Sequence, residues 1–251
     1  MNPLSVIIIS KNEEANIAEC LESIKWAHEI IVVDAESSDN TVKIAKNFTK
    51  KVFVHPWQGF VETKNYALSK TSYDWVLWLD ADERVTDELR DEIIQTLATS
   101  PYESAFDVAR RAFFLGKWIR FCGWYPQRVV RLFNKNRANF SPVSVHEGLD
   151  VNGAIGFLKN DLLHFTDPNI FHYMEKLNRY TTLASRDLHY KGRNFYLFGT
   201  IFRAEWQFFK MYIMRLGFLD GTHGLLLSLL SSYYVFTKYM KLWERQNQLR
   251  K

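Results

Sequence analysis

The chain has 251 residues, of which 24% are charged, 47% hydrophobic and 16% aromatic, with only 11 Gly and 6 Pro. This composition fits one globular domain, or one domain with an appendage, and excludes collagen-like, low-complexity and wholly disordered chains. The formal net charge of +4 hides an asymmetry, because residues 1–100 carry −7 and residues 101–251 carry +11. An acidic half suits metal binding, and a basic half suits phosphates, a membrane surface or an acidic acceptor.

The two cysteines, Cys20 and Cys122, are too few for a disulfide framework and lack the spacing of a structural zinc site. We therefore expect free thiols in a reducing compartment. The first residues, MNPLSVIIIS, form a short apolar run with no basic segment and no small-residue cleavage site. This run predicts a first strand and not a signal peptide.

Strand and helix patterns alternate through the first 100 residues. Continuous apolar runs, typical of strands buried on both faces, cover residues 4–9, 29–34, 51–57 and 74–80. Helical patterns follow each strand, including a helix over residues 59–70 and one capped by Thr86. The alternation predicts an α/β fold with a mixed, mainly parallel sheet flanked by helices, and places ligands at the carboxyl ends of the strands.

The sequence lacks the glycine-rich loops that usually bind a diphosphate in an α/β fold. The first loop, SKNEEAN, has no glycine to let a pyrophosphate approach a helix N-terminus, and the sequence has no Walker A loop. In LWLDADER, however, Asp80 and Asp82 follow a buried strand two residues apart, so both can address one Mg²⁺ or Mn²⁺ that bridges a diphosphate. The alternative is a solvated acidic loop that happens to end a strand.

Polar residues also follow the first and second strands. Asp34 ends the second strand and precedes AESSDNT, which contains Glu36 and Asp39, while the first loop adds Asn12 and Glu13. Such acids can accept hydrogen bonds from a base or a ribose in a nucleoside pocket. Helix capping and turn formation are the alternative roles for the residues after Asp34.

Four motifs carry a family resemblance: SVIIISKNEEANI, IIVVDAESSDNT, GFVETKNYAL and DWVLWLDADE. In order and spacing they resemble the inverting family-2 glycosyltransferases with a GT-A fold, most of all the bacterial lipopolysaccharide core β-glucosyltransferase type. The resemblance implies that Glu13 and Asp34 contact the nucleoside of a UDP-sugar and that Lys64 lines the same pocket. It further implies that Asp80 lies by the ribose and diphosphate and that Asp82 binds the metal.

Two later segments, RVVRLFNKN and SVHEGL, also resemble that branch. An inverting transfer needs a group that takes the proton of the acceptor hydroxyl while the donor diphosphate leaves from the opposite face. We expect Glu147 to be this base, with His146 as the competitor or as a group close to the metal. The alternative is a pair at a strand end that makes ordinary hydrogen bonds.

Arg128 and Arg131 are three residues apart in a strand-like run, so at most one of them serves the diphosphate. We favour Arg131, with a surface salt bridge as the alternative. His164 lies in LLHFTD and could complete the metal site, because neutral imidazole suits Mn²⁺ tolerably. A lone histidine in an apolar run is otherwise a core residue that makes internal hydrogen bonds.

The C-terminal part is rich in aromatic residues, with 14 of the 39 in residues 195–243. Its longest uncharged stretch, residues 221–237, is too short and polar for a membrane-spanning helix. The preceding segment mixes Arg203, Lys210 and Arg215 into apolar residues, as helices lying in a bilayer surface do. Packing on the domain, or pairing in a homodimer, is the alternative.

We therefore expect residues 1–165 to form the GT-A domain and residues 166–251 a helical region at a membrane surface. Within the domain, residues 1–100 would bind the nucleotide-sugar and residues 101–165 would serve the acceptor and catalysis. The expected activity is metal-dependent transfer of a hexose from a UDP-sugar to a lipid-linked saccharide such as lipopolysaccharide inner core, with glucose as the favoured hexose. The expected location is the inner face of the cytoplasmic membrane.

Two other functions stay open. One is a polyprenyl-phosphate sugar transferase, whose acceptor phosphate is already ionised and needs no general base. The other is a non-catalytic, membrane-associated scaffold that binds nucleotide or glycolipid. Nucleic acid is not an expected partner, because the basic residues are dispersed among aromatic ones without a reader motif.

Overall fold

Four parallel strands form one side of the central sheet in the computed structural model, which describes residues 2–141 and 149–248. They are β1 (Leu4–Ser10), β2 (Glu29–Asp34), β3 (Val52–Val54) and β4 (Trp75–Asp80), and they lie in the order β3-β2-β1-β4. The third strand is shorter than its apolar run predicts. The amide of His55 still donates to the backbone carbonyl of Asp34, but Pro56 has no amide hydrogen with which to continue the pairing.

Short helices connect these strands: α1 (Ile17–Glu22), α2 (Thr41–Ala45) and α3 (Phe60–Ser69), with α4 (Asp87–Ala98) after the fourth strand. The predicted cap of α4 is confirmed, because the hydroxyl of Thr86 accepts a hydrogen bond of 3.2 Å from the amide of Leu89. Two acidic residues in the first turn of α4, Asp87 and Glu88, further stabilise this helix, because their negative charges lie at the positive end of the helix dipole.

The remaining strands are β5 (Glu83–Val85), β6 (Ala105–Phe114), β7 (Lys117–Trp118), β8 (Gln127–Asn134), β9 (Ala138–Phe140), β10 (Leu149–Val151), β11 (Ile155–Phe157) and β12 (Leu162–Asp167). β8 joins β4 in antiparallel orientation, and the sheet continues in the order β8-β6-β12-β5. The outcome is the predicted α/β class with a mixed, mainly parallel sheet flanked by helices.

Both faces of the parallel strands are covered, which explains their unbroken apolar sequences. Val6 and Ile8 face one layer, where they share a core with Leu21 of α1 and Ile93 of α4. Ile7 faces the opposite layer. Neither face can therefore carry the polar alternation of a half-exposed strand.

The chain divides into two compact units. The first contains the chain up to Arg110 together with Arg128–His164, and the second contains Arg111–Gln127 and the chain from Phe165 onwards. The expected domain boundary after residue 165 falls close to this division, but residues 111–127 group with the C-terminal helices. They do so because the amides of Arg120 and Phe121 donate to the buried carboxylate of Asp220, at 3.2 and 2.8 Å.

The second unit contains three helices in the described part of the chain: α5 (Ile170–Tyr190), α6 (Leu197–Phe209) and α7 (Thr222–Gln248). A π-helical turn (Lys210–Met214) and a 3₁₀ turn (Gly217–Asp220) connect the last two. Its small core includes Phe114, Cys122 and Leu227. None of the helices among the described residues combines the length and the apolar composition that crossing a membrane requires. Both cysteines are free, as expected, and both are buried.

Glu29 is a buried acid at the start of β2. Burial alone would raise the pKa of its carboxyl, but hydrogen bonds from Lys51, Ser5 and Ser72 outweigh this effect and lower the pKa from 4.5 to about 2. The ionised carboxylate thus joins β1, β2 and the residues before β4, and it stabilises the fold only while it is charged.

We predict that this stabilisation is complete above pH 4.5 and is lost as the pH falls from there through about 2. Glu29→Gln should therefore lower the free energy of unfolding at neutral pH and flatten its dependence on pH over that range. Urea denaturation at pH 7 and at pH 3 measures both effects. The control is Glu22→Gln, which removes only an exposed ion pair with Lys25. Equal pH dependence in wild type and Glu29→Gln would contradict the assignment.

Candidate active site

The first wall of the candidate site is formed where β1 and β2 end. Asp34 is fully buried and accepts hydrogen bonds from the hydroxyl of Ser10 (2.9 Å) and from the amide and hydroxyl of Ser37 (2.7 and 2.6 Å). Its carboxylate therefore shapes the loop after β2 from within. Ser37 lies in the polar loop expected after β2, whereas Ser10, the last residue of β1, was not singled out from the sequence.

Hydrogen bonds join the loops that follow β1 and β2. The amide of Asn12 donates to the hydroxyl of Ser37 (2.7 Å), and its side-chain oxygen accepts from the amide of Ser38 (2.8 Å). Asn12 and Glu36 both have a φ of 56°, in the left-handed region that non-glycine residues adopt at a cost. The network holds this backbone in place, as is common near binding sites.

Glu13 lies in the same loop and is half-buried. Its amide donates to the hydroxyl of Thr41 (2.8 Å), and its carboxylate accepts from the amide group of Asn16 (2.8 Å). The backbone position of Glu13 is therefore fixed relative to the start of α2. The loop that carries the candidate nucleoside contacts is held at both ends.

A buried arginine holds the acidic motif at the end of β4 through hydrogen bonds. Arg131, on β8, is 2% exposed and donates to Asp80 (2.5 Å) and to Glu83 (2.6 Å). The side chain of Asp80 is 42% exposed, so it is open to a ligand while its orientation is set by the guanidinium. Burial opposes the charge of Arg131, but the two carboxylates outweigh it and raise its pKa, so the guanidinium stays charged.

Glu83 is the carboxylate that sequence reasoning missed. It is fully buried, accepts from the amide of Asp80 (3.0 Å) and lies 3.5 Å from the guanidinium of Arg110 as well as against Arg131. Burial raises the pKa of Glu83, and the arginines oppose that effect. A signal was present in the sequence, since Glu83 follows Asp82 directly, but an acid next to an acidic motif looks like part of an exposed loop.

Two cations lie over the indole ring of Trp78. The amine of Lys64 is 4.0 Å from the ring centroid, and the guanidinium carbon of Arg131 is 4.1 Å from it. Lys64 is only 4% exposed and is also 5.6 Å from the ring of Phe140. Trp78 lies two residues before Asp80, so its side chain projects to the same side of β4. Lys64, Trp78, Arg131 and Asp80 thus form one connected group.

Asp82 and His164 meet beside this group. Their side chains are 3.3 Å apart between Oδ2 and Nε2, because β12 pairs with β5 and sets His164 opposite Glu83. An oxygen and an imidazole nitrogen at this separation suit a divalent cation, and the carboxylate of Asp80 lies two residues away in the chain. Among the described residues, no group of three or more His, Cys, Asp or Glu side chains is already arranged around one point. The chemistry of the Asp82–His164 pair, one carboxylate and one imidazole, is of a type that fits a divalent cation.

Arg128 stands apart from the site. It donates to Asp107 (2.7 Å) and to the carbonyl of Leu158 (2.7 Å), whereas Arg131 is buried against Asp80. The two arginines thus have separate partners, in agreement with their opposite orientation on one strand. The expected base, Glu147, and its competitor, His146, lie outside the described residues.

Residues 5–202 match the family model "Glycosyl transferase family 2", a region that includes both loops, the acidic motif, Arg131 and His164. The chain belongs to glycosyl transferase family 2. Its mixed, mainly parallel sheet with flanking helices is the GT-A fold of the expected resemblance.

Two relatives align with nearly the whole of this chain. An uncharacterized glycosyltransferase of Rickettsia typhi is 33% identical over 97% of this chain and 88% of its own length. A lipopolysaccharide core biosynthesis glycosyltransferase of Rhizobium meliloti is 29% identical over 97% of this chain and 93% of its own.

Solved structures match in part. Glucosyl-3-phosphoglycerate synthase from Mycobacterium tuberculosis, with Mg²⁺ and UDP, has a TM-score of 0.37 and 25% identity, over 46% of this chain and 44% of its own. The chain therefore spans less than half the length of that structure.

The central role of Arg131 in this family 2 site predicts a specific stability defect. Arg131→Met leaves Glu83 buried without its main counter-ion, so the free energy of unfolding at pH 7 should fall by about 3 kcal/mol. The loss should shrink as the pH falls towards 4.5, because a buried carboxyl with a raised pKa becomes neutral in the folded state.

Urea denaturation at pH 7 and pH 5 measures this effect. The matched control is Arg128→Met on the same strand, which removes a partly exposed ion pair and should cost no more than about 1 kcal/mol. The double variant Arg131→Met with Glu83→Gln should recover part of the loss. Equal losses in Arg131→Met and Arg128→Met would show that the network is not a main support of the fold.

Proposed function

We propose that the chain transfers a hexose, with glucose the expected one, from a UDP-sugar to a lipid-linked saccharide such as lipopolysaccharide inner core. The transfer inverts the anomeric carbon. Membership of glycosyl transferase family 2 supports sugar transfer, and the Rhizobium meliloti relative supports an acceptor of the lipopolysaccharide core class. Such an acceptor is anchored in a membrane, so the enzyme works at the inner face of the cytoplasmic membrane.

The observation that carries this proposal is Asp80, half-exposed at the end of β4 and held by a buried Arg131. In the proposed complex, Asp80 lies beside the ribose and diphosphate of the donor. Arg131 acts as a positioning residue, because its guanidinium is already committed to Asp80 and Glu83. Glu13, Asp34 and Lys64 belong to the nucleoside pocket, with Asp34 acting through the loop that it holds.

Asp82, His164 and Asp80 are the residues that would hold Mg²⁺ or Mn²⁺. When bound, the cation would neutralise charge on the departing diphosphate. The oxygen and imidazole donors at the Asp82–His164 pair support this assignment. Lys64 adds a second positive charge on the same side of the sheet, and its burial over Trp78 keeps that charge out of water.

The acceptor side needs a base. In an inverting transfer the acceptor oxygen forms a bond to the anomeric carbon as the bond from that carbon to the UDP oxygen breaks, and the hydroxyl proton must leave. We assign this proton to the carboxylate of Glu147, with His146 as the alternative acceptor. A lipid phosphate acceptor would need neither, because it is already ionised.

The donor half of the proposal is tested by calorimetry of UDP with and without Mn²⁺. We expect Mn²⁺ to tighten UDP binding, and Asp82→Asn to weaken the Mn²⁺-dependent binding by at least about ten-fold because it removes a charged oxygen ligand. Asp87→Asn, the same change on the exposed first turn of α4, is the control and should bind as the wild type does. Unaltered Mn²⁺-dependent binding by Asp82→Asn would remove Asp82 from the metal site.

The acceptor half is tested by turnover with UDP-glucose and lipopolysaccharide inner core. Glu147→Gln should lower kcat by about 10²- to 10⁴-fold, the range for loss of a general base, while UDP affinity stays unchanged. His146→Asn is the matched comparison and should retain most activity. If Glu147→Gln turned over normally and His146→Asn did not, the base would be the histidine. Full activity of both variants with this acceptor would show that another residue is the base, whereas a wild type that is inactive with inner core and active with a polyprenyl phosphate would favour the phosphate acceptor.

A further inference from the structure

Helix α6 carries its large apolar side chains on its solvent side. Its buried residues are small: Thr200 and Ala204. The carbonyl of Ala204 accepts a hydrogen bond of 2.7 Å from the hydroxyl of Ser232 on α7, so the small residues mark the face that packs inward. Phe198 is 85% exposed and Phe202 66% exposed. This is the reverse of a helix on a soluble protein, whose large apolar residues point to the core.

The exposed residues form one continuous stripe. At about 100° per residue, Phe198, Phe202, Trp206 and Phe209 fall within an arc of about 80°, and Thr200 and Ala204 lie on the opposite side. Beyond α6 the exposure continues through Ile213 and Phe218. We call these six exposed side chains the aromatic face.

A contiguous apolar surface of this kind has a partner. Scattered apolar residues are normal on a surface, but a patch of several aromatic rings is costly in water and marks an interaction site. Stacking between Trp206 and Phe209, at 5.8 Å between ring centroids, covers only part of these rings. The remainder stays open in the described chain.

The charges of the residues around the aromatic face indicate which kind of partner it binds. The segment from Lys191 to Asp220 contains five basic residues, Lys191, Arg193, Arg203, Lys210 and Arg215. Against them stand Glu205, which is exposed, and Asp220, which is 2% exposed and bonded to backbone amides. The segment that carries the aromatic face thus has an excess of positive charge, with Arg203 and Lys210 beyond one edge of the face and the single acid Glu205 at the other. An apolar face in a segment with this net charge complements a bilayer that contains anionic lipids.

We propose that the aromatic face of α6 and its following turns inserts into the interfacial layer of an anionic membrane. The helix lies in the plane of the surface, with the rings of the face among the acyl chains and the basic side chains at the lipid head groups. The purpose of this docking rests on the proposed function, since a lipid-linked acceptor is presented at the same surface. A second copy of the chain is the competing occupant.

Flotation of the full chain with vesicles tests the proposal. Vesicles of phosphatidylcholine and phosphatidylglycerol in equal amounts should bind the wild type, and phosphatidylcholine alone should bind it more weakly. Phe198→Ser with Phe202→Ser should lower partitioning by at least about ten-fold, because two aromatic rings are no longer buried in the lipid. The control is Tyr102→Ser, an equally exposed ring of the first unit, which should bind as the wild type does.

A second pair of variants tests the charge. Arg203→Gln with Lys210→Gln should weaken binding to the anionic vesicles by about five-fold per residue and leave binding to phosphatidylcholine unchanged. Lys46→Gln with Lys50→Gln, exposed lysines of the first unit, is the matched control. Added salt should weaken wild-type binding to the anionic vesicles.

Three outcomes would overturn the proposal. These are absence of vesicle binding by the wild type, equal loss in Tyr102→Ser, and a dimer that the phenylalanine variant converts to monomer without any change in vesicle binding. UDP calorimetry on the same proteins keeps the two proposals apart. Normal UDP binding without vesicle binding overturns only the membrane face, whereas vesicle binding without UDP binding overturns only the donor site.

Discussion

The buried ion pair between Arg131 and Glu83 is the interaction on which the candidate site depends. Two charges removed from water are unfavourable unless each finds partners. Here Glu83 also accepts a hydrogen bond from the amide of Asp80, and Arg131 also donates to the carboxylate of Asp80. Asp80 is consequently held by backbone and side chain at once. A carboxylate fixed in this way is already oriented when a ligand arrives, so less conformational entropy is lost on binding.

The same network explains how an acidic motif can end a buried strand. β4 runs through the core with apolar residues on both faces as far as Leu79. After the acidic motif the chain does not leave the protein interior, because Glu83 is buried at the start of β5. β5 pairs with β12, and this pairing brings His164 beside Asp82. One buried carboxylate thus supports both the diphosphate side and the metal side of the proposed site.

The amino-acid sequence predicted the parallel half of the sheet well and the interior of the site only partly. Continuous apolar runs can be placed because strands covered on both faces allow little else, and the Thr86 cap follows from local chemistry. The position of Glu83 after Asp82 was visible in the sequence, but its burial was not, because burial of this acid depends on Arg110 and Arg131, which come from strands more than 25 residues away in the chain. The grouping of residues 111–127 with the C-terminal helices could not be predicted for the same reason, because it depends on hydrogen bonds to the distant Asp220.

Helix α6 shows most clearly where pattern and structure diverge. Its periodicity reveals two faces, but periodicity is symmetric and does not say which face turns inward. Small residues decide the matter: Thr200 and Ala204 allow α7 to approach closely enough for Ser232 to bond to the helix backbone. Phenylalanines at those positions would hold the two helices apart. The close contact between α6 and α7 therefore requires the large rings to point away from it, and an apolar environment must be supplied from outside the fold.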